Sequence, residues 1–152
     1  MPGVSGGRMS AVDRQVEHRL LEHDVRYTRG RRRVVEALAA SDGPRSTADL
    51  HAEIHGEVPL SSLYRSLAVL EEAGVVAPHF SAKGITRYEL AEWLAGHHHH
   101  LVCLSCGLVE DIEIPGELEQ ELRSIVARIG SRSRFEPTDH ALEIEGTCAR
   151  CR

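Results

Sequence analysis

The sequence predicts an α+β fold in two domains, and three observations support this prediction. Apolar residues recur at helical spacing through the first half of the chain, interrupted by capping and terminating residues. Two short β-prone runs follow, and the second half then alternates strand patterns with one amphipathic helix. Two Cys-x-x-Cys pairs lie in that second half. At about 60 residues this half has a small core, so it needs an additional stabilising element such as a metal site.

The N-terminal region begins with a stretch that predicts no fold. Residues 1–10 are rich in Gly and Ser and predict a disordered tail. A first helix is predicted from there to His23, because apolar residues recur at helical spacing at Val12, Val16, Leu20 and Leu21. The first folded domain is therefore expected at residues 11–91.

Capping residues mark two further helices. Thr28 can cap a second helix, and Ser46 with Asp49 three residues later resembles the capping box of a third helix, which Gly56 ends. The residues expected to be buried on these two helices are Val34, Val35, Leu38, Ala39, Leu50 and Ile54.

A fourth helix is predicted from about Pro59 to Ala73, where Gly74 ends it. Its core face is expected to carry Leu60, Leu63, Leu67 and Leu70. The other side of its first turns carries Ser61, Ser62, Arg65 and Ser66, with Tyr64 at the edge.

Short strands at residues 75–76 and 85–90, joined by a turn at residues 81–84, follow this helix. Helices followed by a two-stranded wing make a winged helix-turn-helix, whose last helix enters the DNA major groove. Arg65 is then the natural reader of guanine, and the small serines allow close approach to DNA. The alternatives are a solvated Arg65 and a Tyr64 that packs half-buried against the core.

Charge is divided unevenly between the two halves of the chain. The net charge is −5, but residues 1–91 hold 12 Arg and Lys against 12 Asp and Glu, so the acidity belongs to the second half. Five arginines in the first half fall within eight residues without an acid between them: Arg26, Arg29, Arg31, Arg32 and Arg33. This cluster predicts either a phosphate contact or a solvated helix start.

The second half reads as a hinge at residues 92–96 and a small α/β domain at residues 97–152. Its elements are expected to be strands at residues 98–104, 108–114 and 140–146, with a helix from Gly116 to about Ile129. The apolar face of that helix is Leu118, Leu122, Ile125, Val126 and Ile129, and Ile144 is expected on a half-buried strand. A small lobe after a DNA-reading lobe predicts a dimerisation domain, since two-fold symmetry suits a palindrome.

The four cysteines predict one structural zinc site. Each Cys-x-x-Cys turn presents two thiolates, so Cys103, Cys106, Cys148 and Cys151 can complete a tetrahedral shell without an open position. The alternatives are two disulfides or a redox pair. No signal peptide precedes the cysteines, which favours a reducing, cytoplasmic compartment, and no apolar run approaches the roughly 20 residues of a membrane span.

Four consecutive histidines, His97 to His100, run into the first cysteine pair. Because side chains on a strand alternate faces, His98 and His100 point one way and His97 and His99 the other, so one run can serve two metal sites. The candidate partners are Glu89, Asp111, Glu119 and His140. Their alternatives are an exposed Asp111, a Glu119 paired with Arg123, and a His140 satisfied in the core.

An enzyme is disfavoured by the details of the other histidine motif. In His51-Ala52-Glu53-Ile54-His55 the Glu comes one residue too late for a metalloprotease helix. The deaminase signature requires Pro before the downstream cysteine, and this chain has Val102 there.

The motifs together resemble the ferric-uptake-regulator family of metal-sensing repressors. The resemblance covers nearly all residues after about Ser10 and rests on the stretches at residues 60–67, 88–90 and 97–107, and on His140 followed by the last cysteine pair. It implies a homodimeric winged-helix repressor of palindromic operators that controls metal-ion homeostasis, with double-stranded DNA as partner and metal sites between and within its two domains.

The resemblance also implies a role for each matching residue. It makes Cys103, Cys106, Cys148 and Cys151 the structural zinc ligands. The regulatory hinge site is placed at Glu89, His98, His100 and Asp111. The additional site is placed at His97, His99, Glu119 and His140. A DNA-contacting turn is placed at Thr28 and Arg31, although Gly30 stands where the family has Gln.

Three departures from the family pattern bear on the metal. Pro44-Arg45 stands where a further hinge-site His often lies, Glu89 and His98 are two residues further apart than usual with Trp93 between them, and Glu119 needs a one-residue insertion to align. In the family's zinc-uptake branch a further cysteine typically precedes the His run, whereas all four cysteines of this chain are already assigned to the structural zinc. The resemblance therefore favours Fe(2+) slightly over Zn(2+), with Mn(2+) and Ni(2+) also suited to such ligands. Two alternatives to an iron-responsive repressor stay open: a zinc-uptake-type regulator of the same family, and a metal-buffering or interaction protein that is stabilised by zinc and does not bind DNA.

Overall fold

The structure is a computed structural model, and it describes residues 5–80 and 83–152 of the chain. The chain divides into two compact units, of which the first ends at Gly96 and the second begins at His97. The second predicted domain begins at the same residue. The predicted hinge at residues 92–96 differs, because these residues belong to the first unit and residues 92–95 form a helix.

The described part of the first unit is helical with a small antiparallel sheet. Its helices are α1 (Ser5–Glu22), α2 (Arg29–Ala39), α3 (Thr47–Glu53), α4 (Leu60–Glu72) and α5 (Glu92–Ala95), and its strands are β1 (Arg45–Ser46), β2 (Val76–Phe80) and β3 (Thr86–Leu90). The strand order is β1-β3-β2, and β3 is antiparallel to both neighbours. Three helices followed by a two-stranded wing give the predicted winged helix-turn-helix.

Local capping chemistry starts α2 and α3 where the sequence predicts. The Thr28 hydroxyl accepts a hydrogen bond from the Arg31 backbone N–H at 3.3 Å. Ser46 and Asp49 form both halves of a capping box, with distances of 3.1 and 3.2 Å. Both predictions are confirmed.

Other predicted boundaries shift. Helix α1 begins at Ser5, so residues 5–10 of the predicted disordered tail are helical, and residues 1–4 lie outside the described part. Helix elongation adds one hydrogen bond per residue once a nucleus such as the buried Val16–Leu20 turn is anchored. The predicted wing turn falls partly on Ser81 and Ala82, which also lie outside the described residues.

The core of the first unit is aliphatic. Val34, Val35, Leu38, Leu50, Ile54, Leu63, Leu67 and Leu70 are buried as predicted. Three predictions were wrong: Leu60 and Ala39 are exposed, and Ser66 is buried. The reason on α4 is that the buried stripe runs through residues 63, 66, 67 and 70, which leaves the first residue of the helix outside it.

The second unit is a three-stranded mixed sheet with one helix. Its elements are β4 (His99–Cys103), β5 (Val109–Ile112), α6 (Gly116–Ser133) and β6 (Glu143–Gly146). Strand β4 lies in the middle, antiparallel to β5 and parallel to β6. Among the described residues of this unit the buried hydrophobic side chains are few: Val102, Cys103 and Val109.

The apolar face predicted for α6 is largely exposed within the chain, at Leu118, Ile125 and Ile129, because three short strands cannot cover an 18-residue helix. The prediction for the last strand was wrong in its start and in its burial. Strand β6 begins at Glu143 rather than residue 140, and all four of its residues, Ile144 included, are exposed. In the described part of the chain no helix is long and apolar enough to span a membrane.

Candidate metal centres and nucleic-acid interface

Two tight turns bring the four cysteines together. Cys103 ends β4, and the turn after it closes with a hydrogen bond from Gly107 N–H to the Cys103 carbonyl at 2.8 Å. A second turn is closed by Cys151 N–H and the Cys148 carbonyl at 3.0 Å. Each sulfur lies within 4.8 Å of the others, and the Sγ atoms of Cys106 and Cys148 are 3.9 Å apart.

This geometry fits one tetrahedral ion rather than disulfides. Zinc–sulfur bonds of about 2.3 Å put sulfurs about 3.8 Å apart, whereas a disulfide needs about 2.05 Å. All four cysteines are unpaired thiols in the structure, so the disulfide alternative does not hold. Backbone N–H groups, chiefly that of Cys148 at 3.3 Å, lower the pKa of Cys103 to about 6, while hydrogen bonding to its neighbouring sulfurs raises that of Cys151 to about 12.

The odd-numbered histidines of the run, His99 at the start of β4 and His97 just before it, lie beside one carboxylate. His99 Nε2 lies 2.8 Å from Glu119 Oε2 of α6, and His97 Nε2 lies 3.2 Å from Glu119 Oε1. His140, which precedes β6, brings its Nε2 to 2.8 Å from the same oxygen. The structure therefore brings together the four residues assigned to the additional site, His97, His99, Glu119 and His140.

The polar atoms of this group behave as ligands would. Glu119 Oε1 and His140 Nε2 are buried and 2.8 Å apart, yet neither makes a hydrogen bond within the described residues. Atoms that converge without hydrogen-bond geometry are aimed at a common point, which is the arrangement that metal binding requires. The hydrogen bond with His99, followed by the nearby imidazoles, lowers the pKa of Glu119, so it is ready as a carboxylate.

The alternatives weighed for these residues have mixed outcomes. The Glu119–Arg123 pair is present at 3.6 Å, but Arg123 is mostly exposed, so this pair contributes little. His140 is not a core residue of a strand. His99 fits the core description better, because only 1% of it is exposed.

The even-numbered histidines meet a second carboxylate on the other face. Asp111 of β5 lies opposite His100 in the strand register. Its Oδ1 lies 3.4 Å from His100 Nε2 and 3.6 Å from His98 Nε2, and the two imidazole rings are 5.1 Å apart. Three of the four predicted hinge-site residues are therefore together in the second unit. Glu89 belongs to the first unit, half-buried on β3 opposite Ala77.

The predicted DNA-reading face of α4 is open. Ser61, Ser62, Tyr64 and Arg65 are all exposed. Tyr64, with 57% of its surface exposed, does not pack half-buried against the core as its alternative would require. Its ring and the Arg65 guanidinium are accessible to a groove.

The five clustered arginines were predicted to form either a phosphate contact or a solvated helix start, and they differ in their surroundings. Arg32 pairs with Asp13 at 3.1 Å and lies over the Tyr27 ring, and Arg33 bonds Glu57 at 2.8 Å. Arg31 donates to the Arg26 carbonyl at 2.6 Å. Arg26 and Arg29 are exposed. Arg33 also pairs with Glu36, three residues further along the helix, at 2.6 Å. Sequence reasoning missed the pairs with Asp13 and Glu57, because these two acids are remote from the cluster in the sequence.

Comparison with known proteins supports the same reading. The model of the "Ferric uptake regulator family" matches residues 22–145. The ferric uptake regulation protein of Bacillus subtilis is 32% identical over 145 residues, which cover 92% of this chain and 93% of that protein.

Solved structures share the fold. That of the Helicobacter pylori ferric uptake regulator, described as having three functional metal-binding sites, matches with a TM-score of 0.74 at 23% identity, covering 94% of this chain and 93% of that one. A zinc uptake regulator in complex with zinc and DNA matches with a TM-score of 0.56 at 22% identity, covering 94% of each chain. With the family match over most of its length, this chain belongs to the ferric uptake regulator family of metal-responsive, DNA-binding transcription regulators.

Proposed function

We propose that this protein is a repressor that binds palindromic operators as a homodimer when a divalent ion occupies a hinge site of Glu89, His98, His100 and Asp111. The observation that carries the proposal is the division of one histidine run between two carboxylates, Asp111 and Glu119. The two pairs of imidazoles, which alternate along the run that leads into β4, would serve two separate ions, one for regulation and one for the additional site.

The hinge site links metal to DNA through chain connectivity. His98, His100 and Asp111 supply two neutral nitrogens and one carboxylate from the second unit, which is an incomplete shell. Glu89 lies on the wing strand of the DNA-reading unit and would supply the missing carboxylate. A dication bound by these residues would supply the charge that holds the two carboxylates together, and it would thereby fix the angle between the units.

The angle between the units matters because it would set the distance between the two recognition helices of the dimer. Two recognition helices must stand about 34–36 Å apart to read half-sites one turn of duplex apart. To act as a switch, the ion must favour the DNA-competent arrangement by several kcal/mol, since smaller differences shift the population only in part.

The exposed face of α6 supports the dimer. Leu118, Ile125 and Ile129 are exposed on a helix whose unit has few other buried apolar residues. A second copy of the same face would bury them symmetrically. The two α4 helices would then address the two halves of a palindrome.

The structural ion is assigned to the four cysteines as zinc, because a closed tetrahedral thiolate shell suits zinc and leaves no position for catalysis. For the regulatory ion we favour Fe(2+) slightly over Zn(2+). Carboxylates and imidazoles suit the harder ion, and the thiolates of the described cluster are already used. As a DNA regulator the protein would act in the cytoplasm and is not proposed to be an enzyme.

A metal-buffering protein without DNA binding is the second candidate. It is favoured by the internal pairing of Arg32 and Arg33, which reduces the positive charge available to phosphate. The open Arg65 and Tyr64 on α4 argue for the repressor.

The experiment compares operator binding with and without metal. The probe is a duplex selected from a random pool by the wild-type protein in the presence of Mn(II), at a fixed salt concentration because phosphate contacts are salt-dependent. His98→Ala with His100→Ala should abolish metal-dependent binding and leave the folded zinc-stapled unit intact. The matched control, His51→Ala with His55→Ala, removes two histidines outside all of the clusters and should behave as wild type. Equal metal response by both double variants would refute the hinge assignment.

A further inference from the structure

Trp93 fastens the linker helix α5 to the rest of the first unit. Its indole N–H donates to the Gly74 carbonyl at 2.7 Å. The guanidinium carbon of Arg19, from α1, lies 4.2 Å from the centre of the same ring. A hydrogen bond and a cation–π contact on one side chain, which is 41% exposed, form a clasp over this linker.

The clasp closes on the end of the predicted recognition helix. Gly74 directly follows Ala73, the C-terminal cap of α4, and Arg19 Nη1 also reaches the Ala73 carbonyl at 3.5 Å. A cation at the carbonyl end of a helix is favourably placed with respect to its dipole. The Trp93 clasp therefore contacts α4 at the end opposite to Ser61 and Ser62.

Two further contacts make the linker part of the same body. Ala91 N–H donates to the Val75 carbonyl at 2.9 Å, and Leu94 packs against the hydrophobic core. Gly96 comes next, with φ +87° and ψ 167°, a conformation open essentially to glycine alone. The second unit begins at the following residue.

We propose that Trp93 is a positioning residue that couples metal occupancy to the recognition helix, with Gly96 as the joint between the units. This inference rests on the proposed function and deepens it. The extra two residues between Glu89 and His98 would otherwise loosen the connection between the units. With α5 fastened to α4, movement of the second unit is passed to α4 instead of being absorbed by the linker.

The test measures coupling, defined as the factor by which Mn(II) tightens binding to the selected duplex. Trp93→Ala should lower this factor about tenfold, within the range of ordinary allosteric couplings, while the Kd for Mn(II) without DNA stays within about threefold. Trp93→Phe, which keeps the ring but lacks the N–H, should give an intermediate factor. Trp93 is the only tryptophan, so its emission in the wild type reports directly whether the clasp is closed.

The matched control is Tyr27→Phe. Tyr27 likewise donates a 2.7 Å hydrogen bond, to Asp13, and likewise lies under an arginine, Arg32, at 4.3 Å, but these partners belong to α1 and α2 and not to the linker. Its coupling factor should equal that of the wild type.

The possible outcomes distinguish the positioning role of Trp93 from the proposed function of the protein. Coupling within about twofold of wild type in Trp93→Ala, or an equal loss in Tyr27→Phe, would overturn the positioning role and leave the proposed function standing. If circular dichroism shows Trp93→Ala to be unfolded, the same criterion is applied to Trp93→Phe. A wild-type protein that does not respond to Mn(II) would overturn the proposed function itself, and this inference with it.

Discussion

At the residue scale, Gly130 positions a metal-site residue that lies ten residues further along the chain. A Cβ at Gly130 would lie 2.6 Å from the Phe135 carbonyl oxygen and 2.6 Å from Pro137 Cδ. The helix ends at Arg134 in the left-handed conformation, and Phe135 N–H bonds back to the Gly130 carbonyl at 2.9 Å. This close return directs the chain toward His140.

We therefore expect Gly130→Ala to weaken the additional site. The clash involves backbone, so its cost of about 1–3 kcal/mol should exceed the roughly 1 kcal/mol that Ala gains over Gly in a helix. Calorimetric titration should show weaker metal binding at the proposed site of His140 and Glu119, with the zinc content unchanged. Gly116→Ala is the control, because Gly116 lies on the same helix and a Cβ added there would have no neighbouring atom within 4 Å. Equal effects of the two substitutions would disprove the packing argument.

Cys103 is a second residue on which a site depends, because its sulfur is one of the four proposed zinc ligands. Its sulfur accepts the Cys148 N–H at 3.3 Å, and its side chain is buried beside Val102. Cys103→Ser should remove zinc and unfold the second unit, because the ion supplies stability that the small core lacks. Elemental analysis and circular dichroism would measure both losses together. Leu104→Ser, at an exposed neighbour in the same turn, should retain zinc; a folded, zinc-free Cys103→Ser protein would contradict the prediction.

At the element scale, the start of α3 joins local and tertiary interactions. Ser46 caps the helix, and its capping-box partner Asp49 also pairs with Arg87 of β3 at 3.2 Å. Ser46→Ala should cost about 1 kcal/mol, as loss of a cap usually does, and lower Tm by roughly 4–8 °C in a unit of this size. Ser46→Thr should restore most of the loss in thermal unfolding. A Tm for Ser46→Ala equal to that of wild type would show that Arg87 alone holds Asp49.

Elements whose causes are local could be predicted from the sequence. The caps at Thr28 and Ser46 depend on residues three positions apart, and the split of the histidine run depends only on the period of a strand. The place of His140 beside Glu119 was predicted only through the family resemblance, because it follows from the return of the chain over Gly130 and not from a local pattern. Burial on α6 could not be predicted either, since apolar spacing identifies a face but not what covers it.

At the scale of the whole molecule, the proposed function assigns DNA reading to the first unit and metal sensing chiefly to the second. The acidic second unit holds both histidine–carboxylate clusters, and the first unit carries the open face of α4. The histidines of both clusters and the α4 residues belong to different units. In the proposed switch, metal therefore acts on DNA binding through Glu89, through the chain connection at Gly96 and through the symmetry of the dimer. Dimerisation is therefore as necessary to the proposed switch as the metal.

Ile125→Asp should accordingly separate the dimer. Its side chain lies in the middle of the exposed apolar face of α6, with Leu118 and Ile129 on either side along the helix. A charge buried there without a partner costs several kcal/mol, enough to shift the association by about a hundredfold or more. Sedimentation should show monomers, and the selected duplex should then bind no better than a single half-site. Leu21→Asp is the control, because Leu21 is an exposed aliphatic residue of α1, outside the α6 face. Dimers that persist in Ile125→Asp but not in Leu21→Asp would move the interface from α6 to α1.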